Sequence, residues 1–305
     1  MSMIPVAVFV YCRYEHTKRL FESLYQNKEV RDTVIYIFSD AAKKEKDIDA
    51  VNHVREYIHS VAEDNRFREV KIIESPVNKG LACSIISGVN IVLEEYDSVI
   101  VLEDDLLVSN DYLCFMKDSL EYYKDNVKVG AVTGFSYEMK SLKKYKPDIY
   151  LARTGNCLGW GTWKEIWTSV DWEVADYEEF RKNKKARRGF DKCQYKISNM
   201  LDAQMEGRID SWAVRWDYHF WKNELLTVYP KKSRIRHEGY ESGATHCKPE
   251  DNDKFKDSFT AEAMNYVLES VTLNEKIGNE LANYTKQTMI YKIKKCIRRY
   301  VKSIS

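Results

Sequence analysis

The acidic triplet Glu103-Asp104-Asp105 follows the apolar run 98–102, where a buried strand would end. Adjacent carboxylates repel one another, which raises their pKa values unless a cation or hydrogen bonds compensate. A divalent ion relieves that repulsion and bridges one or two carboxylates to a substrate phosphate. The triplet therefore indicates a metal site. The alternative interpretation is a solvated turn after the strand.

Polar residues also follow the other predicted strands of the first half, namely Arg13, Asp40 and Asn78-Lys79. In a parallel sheet the carboxyl ends of the strands share one edge, where ligands bind. We therefore expect these residues to gather beside the triplet. For Arg13 and Asp40 the alternative is a salt bridge at a strand end, and for Lys79 it is the cap of a turn.

The first 135 residues have the periodicity of such a sheet. Short apolar or β-branched runs predict strands over 4–11, 33–38, 69–73, 98–102 and 128–133. Helical spacing predicts helices over 15–26, 44–63, 81–93 and from Ser109 or Asn110 to about 123. This alternation predicts an α/β fold with a Rossmann-like, mostly parallel sheet and helices on both faces.

After about Tyr137 the apolar runs shorten, and all seven tryptophans lie in this part. Helices are expected near 162–167, 176–184, 195–206 and 214–222, with a strand over 226–229 and a polar loop over 238–253. We expect one domain over 1–258, with halves 1–135 and 136–258. A C-terminal helical extension is expected over 259–305.

Composition excludes several classes of protein. The 305 residues are 44% hydrophobic and 31% charged, as in globular chains. Residues 286–305 hold seven Lys or Arg and no acid, so a net charge of +1 leaves about −6 for the rest, which disfavours nucleic-acid binding. The seven cysteines are odd in number and form no CxxC pair, which favours a reducing compartment. Without a signal peptide or a long apolar run, we expect a cytoplasmic protein.

Residues 99–116 (VIVLEDDLLVSNDYLCFM) resemble the metal-site strand and following helix of GT-A fold glycosyltransferases. The likeness is closest to the inverting N-acetylglucosaminyltransferase I family and extends to bacterial family-2 sugar transferases. Further matching segments stand in the family's order between residues 4 and 250: Ile4–Arg13, Ile35–Asp40, 78–82 (NKGLA), 155–163 (GNCLGWGTW), Trp216-Asp217-Tyr218 and 238–247 (EGYESGATHC).

The resemblance implies a UDP-sugar donor and Mn²⁺ or Mg²⁺ as cofactor. Asp105 would bind the metal, Asp104 the ribose or metal-bound waters, and Glu103 a donor sugar hydroxyl. The other residues implied for the donor site are Arg13, Asp40, Lys79 and Trp160.

A late histidine completes the metal site in some GT-A enzymes, so His246 is a candidate ligand, with a phosphate contact or solvation as the alternative. This sequence reads Gly-Ala-Thr-His there, one residue longer than related sequences. The other histidines show no metal-ligand spacing among themselves. We interpret them as surface or core residues.

Asp217 is the candidate general base. An inverting transfer needs one carboxylate to accept the proton of the attacking hydroxyl. The flanking Trp212, Trp216 and Trp221 would form an apolar wall or a platform for a sugar. The alternative is an ordinary polar residue on a helix whose tryptophans are core, and Asp210 is the nearest competitor.

The expected activity is an inverting, metal-dependent transfer of a hexosyl or N-acetylhexosaminyl group to a glycan or lipid-linked glycan. One alternative is a nucleotide-sugar nucleotidyltransferase, although residues 11–15 lack the glycines of its phosphate loop. The other is a non-enzymatic carbohydrate-binding protein.

On a helix, residues 289–305 would have one apolar and one basic face, which predicts peripheral binding at the inner face of the cell membrane. The alternative for this tail is packing on the body.

Overall fold

The computed structural model describes residues 3–239 and 258–284. Its first half contains β1 (Val6–Val10), α1 (Tyr14–Leu24), β2 (Val34–Ser39), α2 (Ile48–Glu63), β3 (Glu69–Glu74), α3 (Leu81–Glu95), β4 (Ser98–Glu103), β5 (Leu106–Val108), α4 (Tyr112–Tyr123) and β6 (Val129–Thr133). The second half contains β7 (Ile149–Ala152), β8 (Trp160–Trp163), α5 (Lys164–Thr168), α6 (Tyr177–Lys182), α7 (Lys184–Phe190), α8 (Ile197–Met205), α9 (Trp212–Lys222), β9 (Leu226–Pro230) and β10 (Ile235–His237).

Eight strands form one sheet in the order β3-β2-β1-β4-β8-β6-β9-β7. Only β8 and β7 run antiparallel to their neighbours, so the expected mostly parallel sheet is confirmed. Phe9 pairs with Phe38 on one side and with Glu103 on the other. Strands β1, β2 and β4 therefore end level with one another, and the residues after them share one edge.

Helices cover both faces of the sheet, as expected. Val6 and Val8 of β1 pack in one buried cluster with residues of α1, α2 and α4. Ala7 and Phe9 belong to a second cluster with residues of α3 and α9. Because side chains alternate along a strand, a fully apolar strand supplies both cores, which explains the continuous apolar runs of the first half.

Two features that involve strands of the second half differ from the expectations. Strand β8 occupies part of the stretch expected as a helix from residue 162, because it inserts antiparallel between β4 and β6. Strands β5 and β10 form a separate two-stranded ribbon that no periodicity indicated.

The expected helix from Phe259 is wrong for residues 258–274, which contain neither helix nor strand. Carboxylates of the body instead accept backbone N–H groups of this segment: Asp111 from Met264 and Asp148 from Val267. Helix is present over 275–284, so the extension is helical only there among its described residues.

Within the described ranges, no helix combines the length and apolar character that crossing a bilayer requires. The cysteines of those ranges are all free thiols.

Candidate functional site

The acidic triplet forms the turn between β4 and β5. Its partner is Arg13, which follows the neighbouring strand β1. The guanidinium lies 3.1 Å from an Asp104 oxygen and 3.2 Å from Oδ2 of Asp105. Asp104 is only 4% exposed. The burial of Asp104 disagrees with the solvated-turn interpretation, and Arg13 lies beside the triplet in the strand-end salt bridge that was its alternative interpretation.

His237 is the histidine beside the triplet. Ribbon pairing places it opposite Leu106, and its Nε2 lies 3.3 Å from Oδ2 of Asp105. The next residue, Glu238, donates its backbone N–H to the carbonyl oxygen of Asp105 at 2.8 Å. Sequence reasoning treated His237 as ordinary because two three-residue strands far apart in the chain leave no local signal of pairing. The favoured candidate, His246, lies outside the described residues.

A buried ion pair anchors the ribbon that carries His237. Nε of Arg234 lies 2.9 Å from Oδ2 of Asp111, and both side chains are buried. The guanidinium also lies over the rings of Phe115 and Tyr266, 4.2 Å and 4.9 Å from their centroids. Tyr266 belongs to the C-terminal segment, so that segment helps to hold the ribbon in place.

The carboxylates of the triplet differ in charge. Burial, with the negative charges of Asp105 and Asp104, raises the pKa of Glu103 to about 8. Burial also raises the pKa of Asp104 to about 7, against the opposing effect of Arg13. Burial acts to raise the pKa of Asp105 as well, but His237 and Arg13 outweigh it and hold that pKa below its usual range. Negative charge is therefore concentrated on Asp105.

This donor set fits a hard or borderline divalent ion. A carboxylate and an imidazole within 3.3 Å of each other suit Mn²⁺. No group of three or more His, Cys, Asp or Glu side chains converges as a metal cage in the described parts of the chain. An ion held by Asp105 and His237 would thus leave positions open for phosphate oxygens, as Mg²⁺ and Mn²⁺ commonly require.

Asp40 and Lys79 meet at the start of α3. The carboxylate of Asp40 accepts the backbone N–H groups of Lys79 at 2.9 Å and Gly80 at 3.0 Å. It also accepts the side-chain amide of Asn78 at 3.1 Å. Gly80 has a φ of 78°, which a glycine adopts at little cost. Asp40 therefore fixes this turn, and hydrogen bonds from two backbone N–H groups and one side-chain amide stand where its alternative interpretation has a salt bridge.

Asp217 lies on α9 and faces the loop before β8. Its Oδ1 accepts the backbone N–H of Gly155 at 2.7 Å. The neighbouring Trp216 donates its indole N–H to the carbonyl oxygen of the same glycine at 3.0 Å. Burial raises the pKa of Asp217 to about 7, against the lowering effect of the Gly155 hydrogen bond. A carboxylate with this pKa is suited to accept a proton near neutral pH.

The loop 155–159 links Asp217 to the edge that carries the triplet. It starts at the glycine bonded to Asp217 and ends where Trp160 pairs with Val101 of β4, two residues before Glu103. Gly159 accepts the N–H of Gly134 at the end of β6 at 2.8 Å. Both acidic sites therefore lie at the carboxyl edge of the parallel strands.

The tryptophans next to this loop are core residues. Trp160 is fully buried, and its ring centroid lies 5.2–5.6 Å from those of Trp167, Trp212 and Trp216. The expected donor contact of Trp160 and the sugar platform of Trp212 and Trp216 are therefore not supported by this geometry. The competing base, Asp210, is exposed, and its Oδ2 lies 3.5 Å from the backbone N of Ala82 in α3.

No protein-family model matches this chain, and no curated protein matches it. Among solved structures, the mannosyltransferase PcManGT from Pyrobaculum calidifontis, in complex with GDP-Man and Mn²⁺, overlaps 43% of this chain and 35% of its own at 18% identity and a TM-score of 0.31. S. aureus TarS overlaps 43% of this chain and 21% of its own at 15% identity and a TM-score of 0.31. S. aureus TarS 1-349 overlaps 77% and 61% at 9% identity and a TM-score of 0.44.

The chain spans less than two thirds of each of these solved chains. Overlaps this partial carry no argument about activity.

Proposed function

We propose that this protein is an inverting, metal-dependent glycosyltransferase of the GT-A type, with a UDP-sugar as donor and a hydroxyl of a glycan or lipid-linked glycan as acceptor. The observation that carries the proposal is that two acidic sites, whose carboxylates differ in pKa, lie at the same edge of the sheet. One is a charged carboxylate held by Arg13 and His237. The other is Asp217, whose pKa of about 7 suits a proton acceptor.

The charged site is assigned to the donor. Asp105 and His237 would hold Mn²⁺ or Mg²⁺, which when bound neutralises charge on the departing diphosphate. Arg13 would bind a diphosphate oxygen, and the 28% exposure of its side chain beside the two carboxylates supports that role. Asp40 would contribute to donor binding indirectly, by fixing the turn that carries Lys79. The side chain of Lys79 is exposed and could contact a phosphate of the donor.

Asp217 is assigned to the acceptor. Its Oδ2 receives no hydrogen bond from any described residue, whereas Oδ1 is fixed by Gly155. One oxygen orients the carboxylate, and the other accepts the proton of the attacking hydroxyl. That proton transfer typically contributes about 10²–10⁴-fold to the rate.

The test is a transfer assay across nucleotide sugars, with the anomeric configuration of the product determined by NMR. We expect turnover with one UDP-sugar, its loss on chelation, its recovery with Mn²⁺, and inversion at the anomeric carbon. Retention would contradict the assignment of Asp217 as base. A nucleoside triphosphate that replaces the nucleotide sugar as substrate would favour the nucleotidyltransferase alternative.

We further propose that the protein acts at the inner face of the cell membrane through the basic tail 286–305. Deleting that tail should reduce sedimentation with anionic vesicles at low salt. If the deletion lowers the melting temperature by several degrees without lipid and leaves sedimentation unchanged, the tail packs on the body instead.

A further inference from the structure

Residues 181–196, here called the basic segment, carry eight Lys or Arg residues and a single acid, Asp191. They comprise the end of α6, all of α7 and the turn into α8. All of the basic side chains are exposed except Arg187, which pairs with Asp202 of α8 at 2.7 Å. The segment is thus a dense array of positive charge on the surface of the second half.

The apolar residues of the same helices fix which side faces out. Phe180 of α6 and Phe190 of α7 pack against Tyr218 of α9, with ring centroids 4.9 Å and 5.5 Å apart. These rings belong to one buried cluster that extends into α8. Because the apolar side of α6 and α7 faces α9, the basic side chains of these helices face solvent. The segment therefore flanks the helix that carries Asp217.

Little negative charge within the described residues compensates this array apart from Glu275, whose pKa is lowered by Arg153 and, to a smaller degree, by Lys192. Asp191 is engaged by the backbone N–H of Ser198 at 2.9 Å. Arg181 lies 3.6 Å from Glu178. The remaining six exposed basic side chains form no ion pair with any residue of the ranges 3–239 and 258–284. Uncompensated charge of one sign is typical of a surface that attracts an oppositely charged partner.

We propose that the basic segment docks the protein on an anionic lipid surface. Its charges are spread over the end of α6, all of α7 and the turn into α8, so they match an extended negative plane better than a single phosphate. Met200 of the adjoining α8 is 39% exposed and offers an apolar side chain to the headgroup region. The chain carries a second basic stretch at 286–305, which contains no acid, so both elements would be drawn to the same surface.

This orientation would hold α9, and with it Asp217, near a lipid-linked acceptor. Because vesicle binding is measured without donor or acceptor, its result tests the docking proposal independently of the proposed transferase activity.

The test compares two charge-reversal variants of the full-length chain. K184E/K185E/R188E alters the basic segment, and K28E/R31E/K128E reverses three exposed basic residues elsewhere. Both are mixed with phosphatidylglycerol/phosphatidylcholine vesicles over a series of salt concentrations. Each basic residue near an anionic leaflet contributes roughly a fivefold factor to partitioning. We therefore expect the first variant to lose about tenfold or more, and the second to stay within about twofold of wild type.

The melting temperature of each variant shows whether it is folded. A further control, K184Q/K185Q/R188Q, removes the positive charges without introducing negative ones, and we expect it to lose vesicle binding to a smaller degree than K184E/K185E/R188E. Lys184 and Lys185 lie in the first turn of α7, where acidic residues are favourable. The proposal is overturned if wild type does not bind these vesicles at low salt, or if K184E/K185E/R188E binds as well as the control. Binding to a single-stranded oligonucleotide but not to vesicles would also overturn it and would identify a nucleic-acid partner.

Discussion

The triplet and Asp217 are carboxylate sites at one edge of one sheet, in which Asp104 is buried and Glu103, Asp105 and Asp217 are half-buried, yet their neighbours differ. Asp105 has a guanidinium at 3.2 Å and an imidazole at 3.3 Å. Asp217 has one backbone N–H at 2.7 Å, and no cationic side chain of the described residues lies within ion-pair distance of it. Burial raises the pKa of Asp217 to about 7, whereas the cationic neighbours hold the pKa of Asp105 below its usual range.

The difference shows how one residue type serves two chemical tasks. A carboxylate that stays charged is a metal or cation ligand, and it needs cations nearby to offset the cost of burial. A carboxylate that must take up a proton needs a pKa close to the working pH, and burial without a cation supplies it. The predictions below test whether this division holds.

The largest effect is expected for Asp105→Asn, which removes the charged ligand and keeps the shape of the side chain. Turnover with Mn²⁺ should fall by about a thousandfold or more, because a metal ion supplies several kcal/mol of transition-state stabilisation. Mn²⁺ affinity, measured by electron paramagnetic resonance with UDP present, should fall in parallel. Asp125→Asn, at an exposed position, is the control. Unchanged metal dependence in D105N would remove the triplet from the mechanism.

The next effect is expected for Asp217→Asn, in which the amide oxygen can still accept the Gly155 N–H but cannot take a proton. We expect kcat to fall about 10²–10⁴-fold. The thermal shift produced by UDP with Mn²⁺ should stay at the wild-type value. The matched variant is Asp210→Asn, which should retain activity. If D210N is inactive and D217N is active, the two assignments must be exchanged.

The pH dependence of the wild type sharpens the same assignment. Because Asp217 must be unprotonated to act as base, kcat should rise with pH through about 7. Its pKa is higher in the folded than in the unfolded chain, so its contribution to stability is complete below about pH 4 and is lost as pH rises through about 7. Asp217→Asn should therefore reduce the loss of stability between pH 5 and pH 8, by roughly 1.4 kcal/mol for each unit of pKa shift removed. An unaltered stability profile in D217N would mean that the group is not perturbed.

The first half of the fold was predictable because its signals are local. A strand that is buried on both faces appears in the sequence as a continuous apolar run. Because the turns after parallel strands lie at one edge of the sheet, the sequence was sufficient to predict that Arg13 lies near the triplet. The ribbon was not predictable, because the pairing of His237 with Leu106 depends on tertiary contacts such as Arg234 with Asp111. Trp160 was assigned to the donor by resemblance, although a tryptophan in a short central strand is a core residue.

The smallest effect is expected for Gly155→Ala, which changes no charge and tests the loop that links the two acidic sites. A Cβ at this position would overlap the indole of Trp216, which cannot yield because its own N–H is bonded to the Gly155 carbonyl. The loop must therefore shift and draw its N–H away from Asp217. Overpacking of this kind typically costs about 1–3 kcal/mol of folding stability.

Gly278→Ala is the matched control, because an added Cβ there meets no atom within 4 Å. We expect G155A to lower kcat by about tenfold and to raise the pH at which activity is half-maximal, since Asp217 loses the hydrogen bond that opposes burial. Donor affinity should be unchanged, because Arg13 and Asp105 do not contact this glycine. A change in donor affinity without a shift of the pH profile would show that the loop serves the charged site, and the division between the two carboxylates would have to be redrawn.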